Sequence, residues 1–199
     1  MIFHMLKTRS VTTRHYLSVA ALTLVFLSGC GGETTATLCT QQYWNGTVGV
    51  CLPNGWKVVE REQMEQRGIP PEVVAAFQTE KPLSGQYPTV VVTEEVLAQP
   101  MGSTDYSKAN VQAISALPGY ENIDQRTVTV DAKEVTLDIY TAQPEASQPK
   151  QRFYQLSAVS QSGTGYTVTA STPFAATTGL DKQVVAITSS FTTEEPEKK

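Results

Sequence analysis

Beyond residue 15 the chain contains no histidine; the two it has are His4 and His15. A folded region built from the remainder therefore has neither a Ser-His-Asp nor a Cys-His catalytic pair, and it lacks the commonest transition-metal ligand. No phosphate-cradling glycine loop and no nucleophile elbow are present, and Gly163-Thr164-Gly165 reads as a hairpin turn. No apolar run approaches the roughly 20 residues of a spanning helix. Basic residues form no stripe, which excludes nucleic acid as an expected partner. Cysteine is scarce as well, at three residues.

What is present begins with a processing signal. Lys7, Arg9 and Arg14 precede an apolar run from Tyr16 to Leu27, interrupted by Ser18 and Thr23. A basic segment, an apolar segment and a small-residue end describe a secretory signal peptide. Its end, Leu27-Ser28-Gly29-Cys30, resembles the lipobox of bacterial lipoproteins, in which the cysteine takes a diacylglycerol and becomes the new N-terminus. The resemblance implies residues 1–29 as signal, Cys30 as the lipidated residue and the membrane as a partner through that anchor. Gly31 departs from the aspartate of the inner-membrane retention signal of Gram-negative cells. Three of the 15 Lys and Arg lie in the signal, so the rest carries 12 against 19 acidic residues, near −7.

With Cys30 committed to lipid, Cys39 and Cys51 remain as a pair in an oxidising compartment. A metal site is the other use of such a pair, but no histidine or further cysteine completes one. Between them Asn45-Gly46 is a hairpin turn signal. A two-residue turn leaves Cys39 one residue out of register. A three-residue loop, Trp44-Asn45-Gly46 with Gly46 left-handed, sets the sulfurs opposite each other. The expectation is a Cys39–Cys51 disulfide. Asn45-Gly46-Thr47 also matches a glycosylation sequon, for which the turn is sufficient explanation.

Gly31 to Thr37 is small and polar, so residues 30–37 read as a lipidated tether. Residues 38–193 read as one domain and 194–199 as a charged tail. Short strands are expected at Val48 to Leu52 and Trp56 to Val59, around a turn at Pro53-Asn54-Gly55. Glu60 to Gly68 is helix-prone, and Pro71 fits the first turn of a second short helix to Gln78. Pro88 to Val96 is β-branched and strand-like. Tyr106, Ala109, Ala113, Ile114 and Leu117 mark a helix over Thr104 to Leu117, stopped by Pro118-Gly119. Strands follow at Thr127 to Val130, around Val135 to Ile139, at Phe153 to Val159 and around Tyr166 to Ala170. Leu180, Val184, Ile187 and Phe191 form the stripe of a closing amphipathic helix. This is an α+β order, helices on an antiparallel sheet. Strand residues alternate apolar with Thr, Ser, Gln or charge, so one sheet face is expected to be more solvated or more loosely covered.

Tyr43-x-Asn45-x-x-x-Gly49-x-x-x-Pro53-x-x-Trp56, with Tyr166-x-x-Thr169-x-Ser171-x-Pro173 and the later Ser190-Phe191, resembles the PsbP-like superfamily. That superfamily also includes the Ran-binding Mog proteins and families of bacterial envelope lipoproteins. The resemblance runs from Tyr43 to Phe191 and implies an α/β/α sandwich with a central antiparallel sheet. It implies little chemistry, since members serve as assembly factors or partner-binding proteins.

The carboxylates offer no better catalyst. Glu60, Glu62 and Glu65 with Arg61 and Arg67 read as a solvated, salt-bridged helix face. Glu94 and Glu95 are adjacent in a strand and point to opposite faces. A carboxylate-based hydrolase would require two buried carboxyls sharing a cleft. Among the aromatics, Trp56, Phe153 and Tyr166 read as core, while Tyr43 and Trp44 beside the turn are candidate partner contacts. The function expected is a non-catalytic, membrane-anchored envelope lipoprotein that binds an envelope protein or assists assembly, with no cofactor or metal. The alternative is a carrier or sensor of a small apolar ligand between sheet and helix. Replacing the anchor residue, Cys30→Ser, is expected to release the protein from the membrane pellet, read by fractionation and intact mass. Retention in the pellet with no acyl mass on the parent chain would refute the anchor.

Overall fold

The computed structural model describes residues 38–196. The expected signal, Cys30 and the tether through Thr37 lie outside the described residues. A two-stranded antiparallel hairpin, β1 (Gln41–Trp44) and β2 (Gly49–Leu52), leads the fold. β3 (Trp56–Val58), β4 (Val73–Thr79), β5 (Thr89–Val96), β6 (Glu121–Val130), β7 (Lys133–Ala142), β8 (Gln151–Val159) and β9 (Thr164–Pro173) form one antiparallel sheet, ordered β3-β4-β5-β9-β8-β7-β6. The helices are α1 (Arg61–Gln66), α2 (Ser103–Ile114) and α3 (Thr178–Ser189). Among the described residues no helix is long and apolar enough to cross a membrane.

Strand alternation sorts the side chains into two unlike layers. On one face Val90 and Val92 of β5 stand opposite Ala170 and Val168 of β9, and Leu156 and Tyr154 of β8 opposite Leu137 and Ile139 of β7. All are buried, and they make one core with Leu180, Val184 and Ile187 of α3 and with Val50 and Leu52 of β2. Thr177 caps α3 by accepting from the Leu180 amide at 3.2 Å. Phe191 lies just past that helix and continues its stripe, its ring 6.0 Å from Tyr166. Trp56 is buried in the same core, and its indole N–H donates to Gln183 Oε1 at 3.0 Å.

The opposite face carries α1 and α2. Under α1, Met64 joins Val59, Val73 and Ala76 in a small separate cluster that half-buried Val91 completes. Helices thus cover both faces, the α/β/α sandwich of the expectation.

Two expectations about the strands need correction. Residues 71–78 do not form a second helix: Val73–Thr79 is β4, paired to both β3 and β5. Val73, Val74 and Phe77 favour the pleated, two-sided burial found there, and pairing outweighs the helix-start signal of Pro71. The hairpin also turns differently. Trp44 faces Gly49, so Asn45 to Val48 form a four-residue loop, and Cys51 stands opposite Gln42 rather than Cys39. Gly46 is left-handed as expected, at φ +98°, but Asn45 takes a larger part. Its Oδ1 accepts from the Thr47 and Val48 amides, and its Nδ2 donates to the Val74 carbonyl at 3.0 Å.

The Cys39–Cys51 disulfide is nevertheless present, with Cα atoms 5.3 Å apart. The chain before β1 leaves the ladder, and Thr40 bonds the Leu52 carbonyl through both its amide and its hydroxyl. Cys39 thereby reaches Cys51 from three residues off register. A short loop closed by a disulfide contributes about 2–3 kcal/mol. Cys39→Ala with Cys51→Ala is expected to lower the unfolding free energy by about that amount, measured by urea titration. An unchanged midpoint would show that the bond constrains nothing.

Candidate functional site: the polar sheet face under the second helix

The second helix sits on hydroxyls, amides and carboxylates rather than on a core. Thr93, Thr167, Ser157 and Asp138 share this face by register. Asn110 Nδ2 donates to Ser157 Oγ at 2.9 Å and to Thr167 Oγ1 at 3.2 Å. The Tyr106 hydroxyl donates to Glu95 Oε2 at 2.9 Å and accepts from Thr167 Oγ1 at 3.3 Å. Ser103 Oγ accepts from the Val159 amide at 2.9 Å. A Cβ at Gly165 would stand 2.8 Å from the Tyr106 ring, so only glycine lets the helix lie this close. The buried positions of α2 are Tyr106 and Ser107, whereas Ala109 and Ala113 of the expected stripe are exposed. The inward face is rotated because it follows the hydrogen-bonding partners below.

A helix held by such contacts leaves space on both sides. Toward β6 and β7 lies a cleft of about 440 Å³, whose walls include Ser107, Lys108, Val111, Gln125, Thr136 and Asp138. Toward β5 lies one of about 370 Å³, with Glu95, Tyr106, Asn110 and Gln155 among its walls. Asp138 is only 5% exposed, and Gln125 Nε2 donates to its Oδ1 at 2.6 Å. Burial raises its carboxyl pKa above the usual carboxylate range, and the Gln125 bond opposes the rise. Beside it the Tyr140 hydroxyl donates to Gln155 Oε1 at 3.2 Å, and burial pushes that phenol far up.

The sequence-chosen residues lie elsewhere. Tyr43 is half-buried, its ring edge-on to Phe77 at 5.0 Å, and burial raises its phenol pKa against a lowering bond to Asn45. Trp44 is half-buried over Gly49, where a Cβ would come within 3.0 Å of the indole. Glu94 and Glu95 do take opposite faces, Glu95 bonding Tyr106 and Glu94 bonding Tyr166. Among the described residues no group of acidic, cysteine or histidine side chains converges as a metal site would require. Sequence reasoning passed over Asp138, because a charged residue alternating with Val135, Leu137 and Ile139 is ordinary for a strand with one polar face. It also missed Phe174, exposed at about half its surface.

No protein-family model matches the sequence, and no curated protein does. Cyanobacterial PsbP (CyanoP) from Synechocystis sp. PCC 6803 superposes with a TM-score of 0.52 at 17% identity, over 84% of this chain and 99% of its own. The fold is PsbP-like. LpqN of Mycobacterium tuberculosis shares this PsbP-like fold with a TM-score of 0.50 at 12% identity, over 76% of this chain and 88% of its own. The Ran-binding protein Mog1p of Saccharomyces cerevisiae gives 0.47 at 9% identity, over 77% and 93%.

The buried Asp138 sets a pH dependence. Its folded pKa lies above its unfolded one, so between the two values the native state binds more protons and stability falls as pH rises. An asparagine keeps the acceptor for Gln125 and removes the charge. Asp138→Asn is therefore expected to gain stability relative to the parent as pH rises from about 4, levelling once both states are ionised. Urea midpoints across that range measure it, and a flat difference would count against a raised pKa.

Proposed function

We propose that this protein is a non-catalytic, lipid-anchored module of the bacterial cell envelope that binds an envelope protein or assists assembly of a complex. The observation that carries the reading is the Cys39–Cys51 disulfide at the start of the PsbP-like domain, nine residues beyond the lipobox-like Cys30. A structural disulfide belongs to an oxidising compartment outside the cytoplasm. LpqN, of similar fold, is described as involved in cell envelope biogenesis, which supports the same setting. The hairpin bearing Tyr43 and Trp44 follows the anchor in the chain after the short tether. Its turn, Asn45 to Thr47, is exposed beside those half-buried rings, and we assign the partner contact there.

The alternative, an apolar ligand held between sheet and helix, draws less support from the geometry. Between α3 and the large sheet the space is filled by core side chains, and the cleft of about 290 Å³ on that side lies between the end of α3 and the disulfide end of the hairpin. The clefts beside α2 mix apolar side chains such as Val111, Val135 and Ile114 with hydroxyls, amides and carboxylates, and an apolar ligand would leave those polar groups without partners.

Site-specific photocrosslinking in native envelopes tests the proposal. A photoreactive residue at Tyr43 or Trp44 of the full chain is expected to give a discrete protein adduct, and one at exposed Glu80 is not. Adducts absent at both hairpin positions, or equal at Glu80, would refute the assigned contact.

A further inference from the structure

Asp138 is the one charged side chain among the buried described residues, and among the described residues no cation is recorded against it. Its bond comes from the neutral amide of Gln125, and the influences on its carboxyl are burial and that bond. Its cross-strand neighbour on β8 is Gln155, also neutral. Lys108 is the cationic residue in the adjoining cleft, but its Nζ lies 3.8 Å from Asp105 Oδ1, and its side chain is 74% exposed. The remaining charged or titratable groups around Asp138 are exposed Glu134 and buried Tyr140 on its own strand. Arg126 of β6 is directed elsewhere, toward Asp124 and Asp181.

A carboxylate removed from water without a counter-charge is costly, and the cost is relieved when a cation with hydrogen-bond donors is brought against it. Here the carboxylate forms part of the wall of an open cleft of about 440 Å³, large enough for a small ligand. We propose that this cleft binds a protonated alkylamine, free or as the side chain of a lysine, with the ammonium against Asp138. Ser107 and Thr136 hydroxyls accept its remaining N–H groups, and half-buried Val111 covers part of the methylene stem. Glu134 adds negative charge at the exposed end of the wall. Two carboxylates against one largely exposed lysine, Lys108, in the lining favour a cationic over an anionic ligand.

The test uses carboxyl-carbon NMR of the folded protein with three probes: n-pentylamine, Nα-acetyl-lysine methylamide and the neutral 1-pentanol. Either amine is expected to shift the Asp138 signal saturably and to lower the pH at which it titrates, because the ammonium favours the ionised form. Pentanol is expected to do neither. Affinity is expected to fall as the pH drops and Asp138 takes up its proton. Asp138→Asn is expected to weaken amine binding at least tenfold. Response to pentylamine alone supports a free amine as occupant, and response to the lysine amide supports a lysine side chain. Silence from both amines, an equal response to pentanol, or full binding by Asp138→Asn would overturn the proposal. If the variant does not fold, the titration of Asp138 in the parent protein decides alone. Failure of this test leaves the hairpin contact standing, since the two concern different surfaces.

Discussion

The difference between the two faces of the β5-β9-β8-β7 ladder is the constraint on which the other features depend. Successive side chains must point to opposite faces. In β9 that places Tyr166, Val168 and Ala170 in the core and leaves Thr167 and Thr169 on the reverse side. An apolar layer is covered by whatever apolar surface reaches it, and α3 with the β1–β2 hairpin supplies that cover. A hydroxyl-rich layer offers little hydrophobic gain. Its helix must be held by oriented hydrogen bonds, each worth about 1 kcal/mol, and clefts persist beside it.

The apolar side is closed by ties between segments distant in sequence. Gly49 and Thr192 exchange backbone hydrogen bonds at 2.9 and 3.0 Å, joining the hairpin to the chain after α3. Asp131, in the β6–β7 turn, accepts from the Thr193 amide at 2.9 Å and from the hydroxyls of Thr192 and Thr193. Asp131 and Ala132 both adopt positive φ, at 47° and 62°, the type of two-residue turn that matches the twist of paired strands. The leading hairpin, the closing helix and the edge of the sheet are thus one connected unit. The disulfide then secures the point at which the chain enters it.

Much of this was readable from residue order. The alternation of β7, β8 and β9 and the stripe Leu180-Val184-Ile187 each depend on local periodicity, and local periodicity survives folding; the second helix ends at Ile114, before the stop expected at Pro118-Gly119. The errors share a cause. Residues 71–78 carried a helix-start proline, yet pairing on both sides made them a strand. The α2 stripe was assigned by apolarity, whereas Asn110 and Tyr106, which orient the helix, are polar and amphipathic. The hairpin register depended on loop length, which the Asn45 side chain sets by accepting from two amides at once.

The sequence alone determined the cysteine pair, the absence of histidine after residue 15 and the polar–apolar alternation that demands two unlike layers, because these are properties of composition and period. Only the tertiary structure decided that Gln125, Asp138 and Gln155 lie side by side, and that α2 closes over them incompletely. Which strands become neighbours is set by contacts between residues far apart in the chain. A carboxylate's burial is a property of that arrangement, with no trace in the spacing of the residues that enclose it.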